Sequence, residues 1–266
     1  MRLSSFALAA VVALGLSAAG DAFADSPPWL GVAMDKAPKG GVLVTHVVSG
    51  SPAEKAGVHA GDKIEKVDGT VVWSASDVQH RVAEHHTGDV VAVTVTRDLG
   101  PVTVQVKIAP RPTMDEVLRM DHVGKPAPEW RSVEAASKGA PTSIASLKGK
   151  VTVVDFWATW CGACRYSAPE LTRLQAKFAA QGVTVVGITT DSKSDAAEFA
   201  ARTNMGYAVV ADATGRTTED YSVTALPTVY VVDKKGVVRD VSIGFAPDSS
   251  SKLETLITQL LAEPGP

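Results

Sequence analysis

Cysteine is nearly absent from this chain: its 266 residues hold only two, Cys161 and Cys164. Histidine stops at His122, so no downstream residue completes the set of about four ligands that a Cys/His zinc site needs. Blocks of lysine or arginine are missing as well, and the net charge is -3. A nucleic-acid surface is thereby excluded, leaving proteins or small molecules as partners. The one long apolar stretch, Phe6 to Ala19, is cut by Gly20-Asp21 before it reaches the ~20 residues of a bilayer-spanning helix. No cysteine follows it, which excludes attachment through a lipidated cysteine.

What surrounds that stretch has the order of a secretory signal: Met1-Arg2, the apolar run, then Ala22-Phe23-Ala24 before Asp25. Residues 1–24 are expected to be a signal peptide cleaved after Ala24, with an uncleaved anchor as the rival reading. The remainder would then work in the periplasm, where disulfides persist.

The two cysteines lie in Trp160-Cys161-Gly162-Ala163-Cys164, directly after the apolar run Val151 to Trp157 and before a helical pattern. Thiols at this spacing form a staple, half of a metal site, or a redox pair. Closing so short a loop stabilises a fold by only ~2 kcal/mol, against ~4.7 for a loop of about 100 residues. A redox pair is the favoured reading, and a metal would have to borrow ligands.

A length of 266 residues suggests two domains, and the 45% hydrophobic content supplies two cores. From Trp29 to Pro110 the chain offers valine-rich alternating runs at 41–45, 63–67, 90–95 and 102–106, which read as half-buried strands. Ser76-Asp77 is the expected cap of a helix carrying Val78 and Val82 and ending near Gly88, and Asp68-Gly69 the expected tight turn. Met114 to His122 reads as one or two helical turns within a linker. Beyond it, runs at 151–157, 183–188, 208–210, 228–232 and 237–239 alternate with helical patterns at 168–180, 195–203 and 250–261, which implies an α/β layer fold.

The first region resembles the PDZ family in the form attached to bacterial periplasmic proteases. The likeness rests on Trp29-Leu30-Gly31-Val32, the run from Gly50 to Val58, Gly61-Asp62-Lys63-Ile64 and Val67-Asp68-Gly69. It implies a mainly-β domain with two helices that binds the C-terminal peptide of a partner. The amides of Leu30, Gly31 and Val32 would take the terminal carboxylate, and Val78 and Val82 would form part of the groove wall. Gly31 permits the dihedral angles of an amide nest, and an exposed strand edge invites β-augmentation. No Ser, His and Asp set completes a protease, so the likeness implies binding and not proteolysis. The plainer reading is a spacer whose groove is empty, with the valines as simple core.

The second region resembles the thioredoxin superfamily, in its periplasmic TlpA-like or ResA-like branch. The marks are Gly124 to Pro128, Leu147 to Val151, Val154 to Cys164, Pro169-Glu170-Leu171 and Leu226-Pro227-Thr228. A thioredoxin-like α/β fold with an inserted strand and helix between Val183 and Asp212 is implied. The expected boundaries are 28–110 for the PDZ-like domain, 111–122 for the linker and 123–264 for the redox domain.

Disulfide exchange needs a thiolate, and pairs of this kind at helix N-termini lower a thiol pKa from ~8.5 to ~3.5–7.5. Cys161, nearest the unpaired amides and positive dipole end of the following helix, is the expected attacking sulfur. Cys164, about one turn deeper, is the expected resolving sulfur. Asp155 ends an apolar strand, so burial should raise its pKa and let it relay the Cys164 proton; its alternative is a solvated strand end. Thioredoxins carry an aspartate at the matching position and a lysine near it, and that lysine's place falls at Gly187. Pro227 is expected to be the cis proline facing the cysteines, with Leu226 and the exposed ring of Trp160 as substrate contacts. Pro169 is expected to kink its helix.

These residues point to an exported thiol-disulfide oxidoreductase with no cofactor beyond the Cys161–Cys164 disulfide. It would act on exported proteins with disulfides, as a reductase fed by a membrane electron donor, with the PDZ domain recruiting a client. The competing function is a peptide-binding adaptor whose redox domain merely positions the groove. Peroxide reduction is disfavoured, because Ala158 stands where a Thr-x-x-Cys arrangement needs threonine.

Overall fold

Valines that alternate with polar residues build the first sheet. The computed structural model describes residues 26–38 and 40–266; the expected signal peptide lies outside them. In chain order the first unit comprises β1 (Pro28–Trp29), β2 (Val32–Lys36), β3 (Val42–Val47), α1 (Pro52–Lys55), β4 (Lys63–Val67), β5 (Thr70–Val71), α2 (Ala75–Ala83), β6 (Val90–Arg97), β7 (Gly100–Lys107) and β8 (Ala109–Pro110). The order β2-β3-β4-β6-β7 is antiparallel throughout. Val91, Val93 and Val95 of β6 point into one core with Val42, Val44, Ile64 and Val67. Asp68 and Gly69 both have positive φ, 49° and 76°, which closes the β4–β5 hairpin as expected.

The α2 cap is Ser74 and not Ser76-Asp77. Ser74 Oγ accepts the Asp77 N–H at 3.1 Å while the Asp77 carboxylate accepts the Ser74 N–H at 3.0 Å, a reciprocal pair that starts the helix earlier. The helix also stops at Ala83, short of Gly88.

The expected linker is structured: α3 (Met114–His122) buries Leu118 in the core of the second unit. Asp115 accepts the Ile243 N–H at 2.7 Å, and Arg119 pairs with Asp240 at 2.9 Å. The second unit continues with β9 (Glu134–Ala135), β10 (Val151–Phe156), α4 (Cys164–Phe178), β11 (Val183–Thr189), α5 (Lys193–Arg202), β12 (Ala208–Ala211), α6 (Arg216–Asp220), β13 (Thr228–Val232), β14 (Val238–Ile243) and α7 (Ser249–Ala262). Its sheet order is β14-β13-β10-β11-β12-β9, with β10, β11 and β12 parallel. Strand β11, helix α5 and strand β12 occupy the segment where an insertion was expected.

Strand β10 is buried along its whole length, as its nearly unbroken apolar sequence dictates for a strand covered on both faces. Val154 and Phe156 point to a core with Tyr221 and Tyr230. Val151 and Val153 point to the opposite core, under α4 and α7. Asp155 and Trp157 continue that second face, because side chains alternate.

Candidate active site

The chain turns immediately after β10, and Asp191 fixes the turn. Its carboxylate accepts the Thr159 N–H at 2.7 Å and the Thr189 hydroxyl at 3.0 Å. Cys161 and Cys164 follow as a disulfide with Cα atoms 5.3 Å apart. Helix α4 begins at Cys164, and the residue before it, Ala163, has no side chain able to cap the first amides. Cys161 Sγ takes that place, accepting the Cys164 N–H at 3.1 Å. Both cysteines are about equally buried, and the hydrogen bond is what distinguishes their surroundings. A thiolate at Cys161 would meet this donor together with the positive end of a fifteen-residue helix.

Around the disulfide, Trp157 is buried against Phe199, ring centroids 5.2 Å apart, whereas Trp160 is 73% exposed. Leu226 packs against the cluster that contains both cysteines. The Leu226–Pro227 peptide is cis. Thr228 Oγ1 donates to the Ala225 carbonyl at 2.7 Å, and the Pro227 carbonyl accepts the Gly244 N–H at 2.7 Å. A groove of about 220 Å³ lies beside this segment, lined by Trp157, Trp160, Thr224, Ala225 and Leu226. The expected substrate contacts Trp160 and Leu226 therefore share one groove. Pro169 lies inside α4, where it removes a donor from the Arg165 carbonyl.

Asp155 is buried, not a solvated strand end. Burial pushes its carboxyl up to about 7, opposed by a hydrogen bond from the Tyr207 hydroxyl to Oδ2 at 2.9 Å. Among the described residues the other oxygen, Oδ1, has no partner, nor has Trp157 Nε1. Gly187 is Asp155's register partner on β11. A Cβ there would stand 2.8 Å from Trp157 Nε1 and 3.0 Å from Tyr207 Cε2. Tyr207 was not legible as a site residue; the one sequence signal for it was a glycine where a lysine was expected.

In the first unit, Leu30 is buried and Gly31 has φ 87°. The Leu30 and Gly31 carbonyls accept from Ala53 and Val48, each at 2.9 Å, which locks the loop. Val32 opens the edge strand β2. Beside them lies a groove of about 280 Å³ lined by Trp29, Leu30, Gly31, Val32, Met34 and Arg111. Val78 and Val82 also line it while buried in the core, so they form its floor. Arg111, an exposed cation in the segment after β8, escaped the sequence reading. Among the described residues no group of three or more His, Cys, Asp or Glu side chains could hold a metal ion.

The Redoxin family model matches residues 122–257, and that of the PDZ domain matches residues 28–108. Thioredoxin-like protein YneN of Bacillus subtilis is 35% identical over 46% of this chain and 71% of its own length. Thiol:disulfide interchange protein DsbE of Pseudomonas aeruginosa is 34% identical over 53% of this chain and 79% of its own length. A crystal structure of a thiol:disulfide interchange protein of the thioredoxin family from Chlorobium tepidum is 30% identical, covering 52% of this chain and 97% of that one with a TM-score of 0.45.

Proposed function

The chain belongs to the Redoxin family and is a thiol-disulfide oxidoreductase, and from that premise we propose that it is exported and reduces disulfides of other exported proteins. In this reading the PDZ domain recruits the client. Export is supported by the order of charged, apolar and small residues before Asp25.

The exchange runs in two displacements. The Cys161 thiolate attacks one sulfur of the client disulfide; a Cys161–client bond forms, the client S–S bond breaks, and the departing client thiolate takes a proton from solvent. Cys164 then gives up its proton to a base and attacks Cys161 Sγ, closing the Cys161–Cys164 disulfide and releasing the second client sulfur as a thiolate. Two electrons have passed to the client, so an external dithiol donor must reopen the pair. Trp160 and Leu226 flank the groove in which the client would lie, and Pro227, which has no amide, leaves the backbone before it free for the client chain.

One observation carries the recruitment role. A cleft of about 490 Å³ is lined from one side by Trp29, Val32 and Arg111, which also line the peptide groove, and from the other by Thr224, which also lines the redox groove. A client tail held in the first groove would then be tethered on the side facing the second, which would raise its effective concentration there.

The test is turnover of insulin or glutathione disulfide by the full chain, with Cys161→Ser as control. A rate lost in the variant supports the reading. Equal, negligible rates in both proteins leave the adaptor function as the better account.

A further inference from the structure

Asp155 is a carboxyl in an apolar layer, and among the described residues the surrounding elements offer it no cation. Its register partners are Gly187 on β11 and Val229 on β13. The inward residues of α4 are Cys164, Ser167 and Leu171, and those of α5 are Ala196, Phe199 and Ala200. Trp157 follows on the same strand face. Among the described residues the one titratable group shown to bear on it is Tyr207, at the foot of β12, whose hydroxyl donates to Oδ2 at 2.9 Å. Tyr207 is itself buried, and burial next to a carboxyl drives its own pKa well above the usual phenol value, so it stays a donor. Its ring reaches this place because Gly187 has no Cβ; an added one would stand 3.0 Å from it.

We propose that Tyr207 is the positioning residue for Asp155: its hydroxyl pins Oδ2 and leaves Oδ1 as the oxygen that takes the Cys164 proton when the mixed disulfide is resolved. The residue serves where a lysine would otherwise pair with the acid, and it does so without adding charge. The step balances: Oδ1 gains the proton that Cys164 Sγ loses, the new Sγ–Sγ bond forms as the Cys161–client bond breaks, and the client leaves as thiolate. The neutral hydroxyl favours the charged carboxyl, whereas burial opposes it. Tyr207 thus sets the pH above which the acid is ready to accept. This role rests on the exchange reading above, since an inactive pair has nothing to resolve.

The experiment uses the reduced full chain and glutathione disulfide, trapping the glutathionylated Cys161 intermediate at intervals and following its decay from pH 5 to 9. In the wild type the decay rate should rise through a midpoint near neutrality. In Tyr207→Phe the midpoint should move up by as much as about one pH unit, giving a loss of up to about tenfold below the midpoint and full recovery at pH 9. Asp155→Asn should flatten that titration. An unmoved midpoint in Tyr207→Phe, with or without a uniform loss of rate, would reduce the tyrosine to packing and overturn the proposal. A midpoint that survives in Asp155→Asn overturns it equally, since another group would then be titrating. Failure of the wild type to form the intermediate at all sinks the exchange reading first, a result distinct from either.

Discussion

Asp121, the penultimate residue of α3, reaches across from the redox domain to His46 of the PDZ domain, with Oδ2 2.9 Å from His46 Nε2. Its other oxygen accepts the Ser49 N–H at 2.9 Å, and Lys125 donates to Ser49 Oγ at 2.5 Å. The helix that carries Asp121 is anchored in the second core through Leu118, so this carboxylate ties the PDZ domain to a fixed platform. Asp121→Ala removes both bonds and strands the Ser49 amide. It is expected to destabilise the seam by about 1–3 kcal/mol. Faster proteolysis around residues 111–113, with unchanged glutathione disulfide turnover, is the outcome that limited digestion should show.

An acceptor of a different kind, a sulfur at a helix N-terminus, governs the redox pair. Because Cys161 Sγ already accepts the Cys164 N–H, reduction leaves a thiolate facing a donor and a helix dipole. Iodoacetamide alkylation of the reduced chain should modify Cys161 first, with a midpoint inside the ~3.5–7.5 range and not near ~8.5. Each unit of acidification corresponds to ~1.4 kcal/mol in favour of the anion. A midpoint of an ordinary thiol would show that the donor contributes nothing once the disulfide opens.

Buried Asp155 sets a stability term whose sign is opposite to that of a paired carboxylate. Its folded pKa, pushed up to about 7, lies above the ordinary value of 3.8. Between these values the unfolded chain has released the proton while the folded one retains it. Stability therefore falls as pH rises through that window and levels off above about pH 7. Asp155→Asn in the oxidised protein should be more stable than the wild type at pH 8, by at most about 4 kcal/mol, with the difference vanishing near pH 4. Urea unfolding at the two pH values measures it.

Periodicity made most of this architecture legible. The run Thr228–Val232 is the strand β13 residue for residue, the run at 63–67 coincides with β4, and that at 151–157 overshoots β10 by one residue. Local chemistry was enough to pair Cys161 with Cys164, because their spacing alone allows the disulfide. What escaped depends on partners distant in the chain. Tyr207 reaches Asp155 across 52 residues, and only the missing side chain at Gly187 hinted that something else filled that space. Arg111 looked like linker because nothing in its neighbours marks the groove to which β1 and β8 bring it. The α2 start was misplaced because Ser76-Asp77 was read as the cap, when Asp77 is the acid that answers Ser74 from the first turn.

Arg111 gives the recruitment role its sharpest test, since it lines both the peptide groove and the cleft toward the redox groove. Its backbone N–H donates to the Pro27 carbonyl at 2.9 Å, which fixes where the side chain starts. A groove with an apolar floor at Val78 and Val82 and one cation at its border suits an apolar tail ending in a free carboxylate. Arg111→Glu places a like charge at that end without altering the disulfide or α4. A reporter protein with one disulfide and an apolar C-terminal tail should be reduced by the wild type at least about tenfold faster than the same reporter with its terminus amidated. In Arg111→Glu that advantage should disappear while glutathione disulfide turnover stays unchanged, because the small substrate needs no tether. A wild type indifferent to the tail, or a variant that keeps the advantage, would show that the PDZ groove does not deliver clients to Cys161.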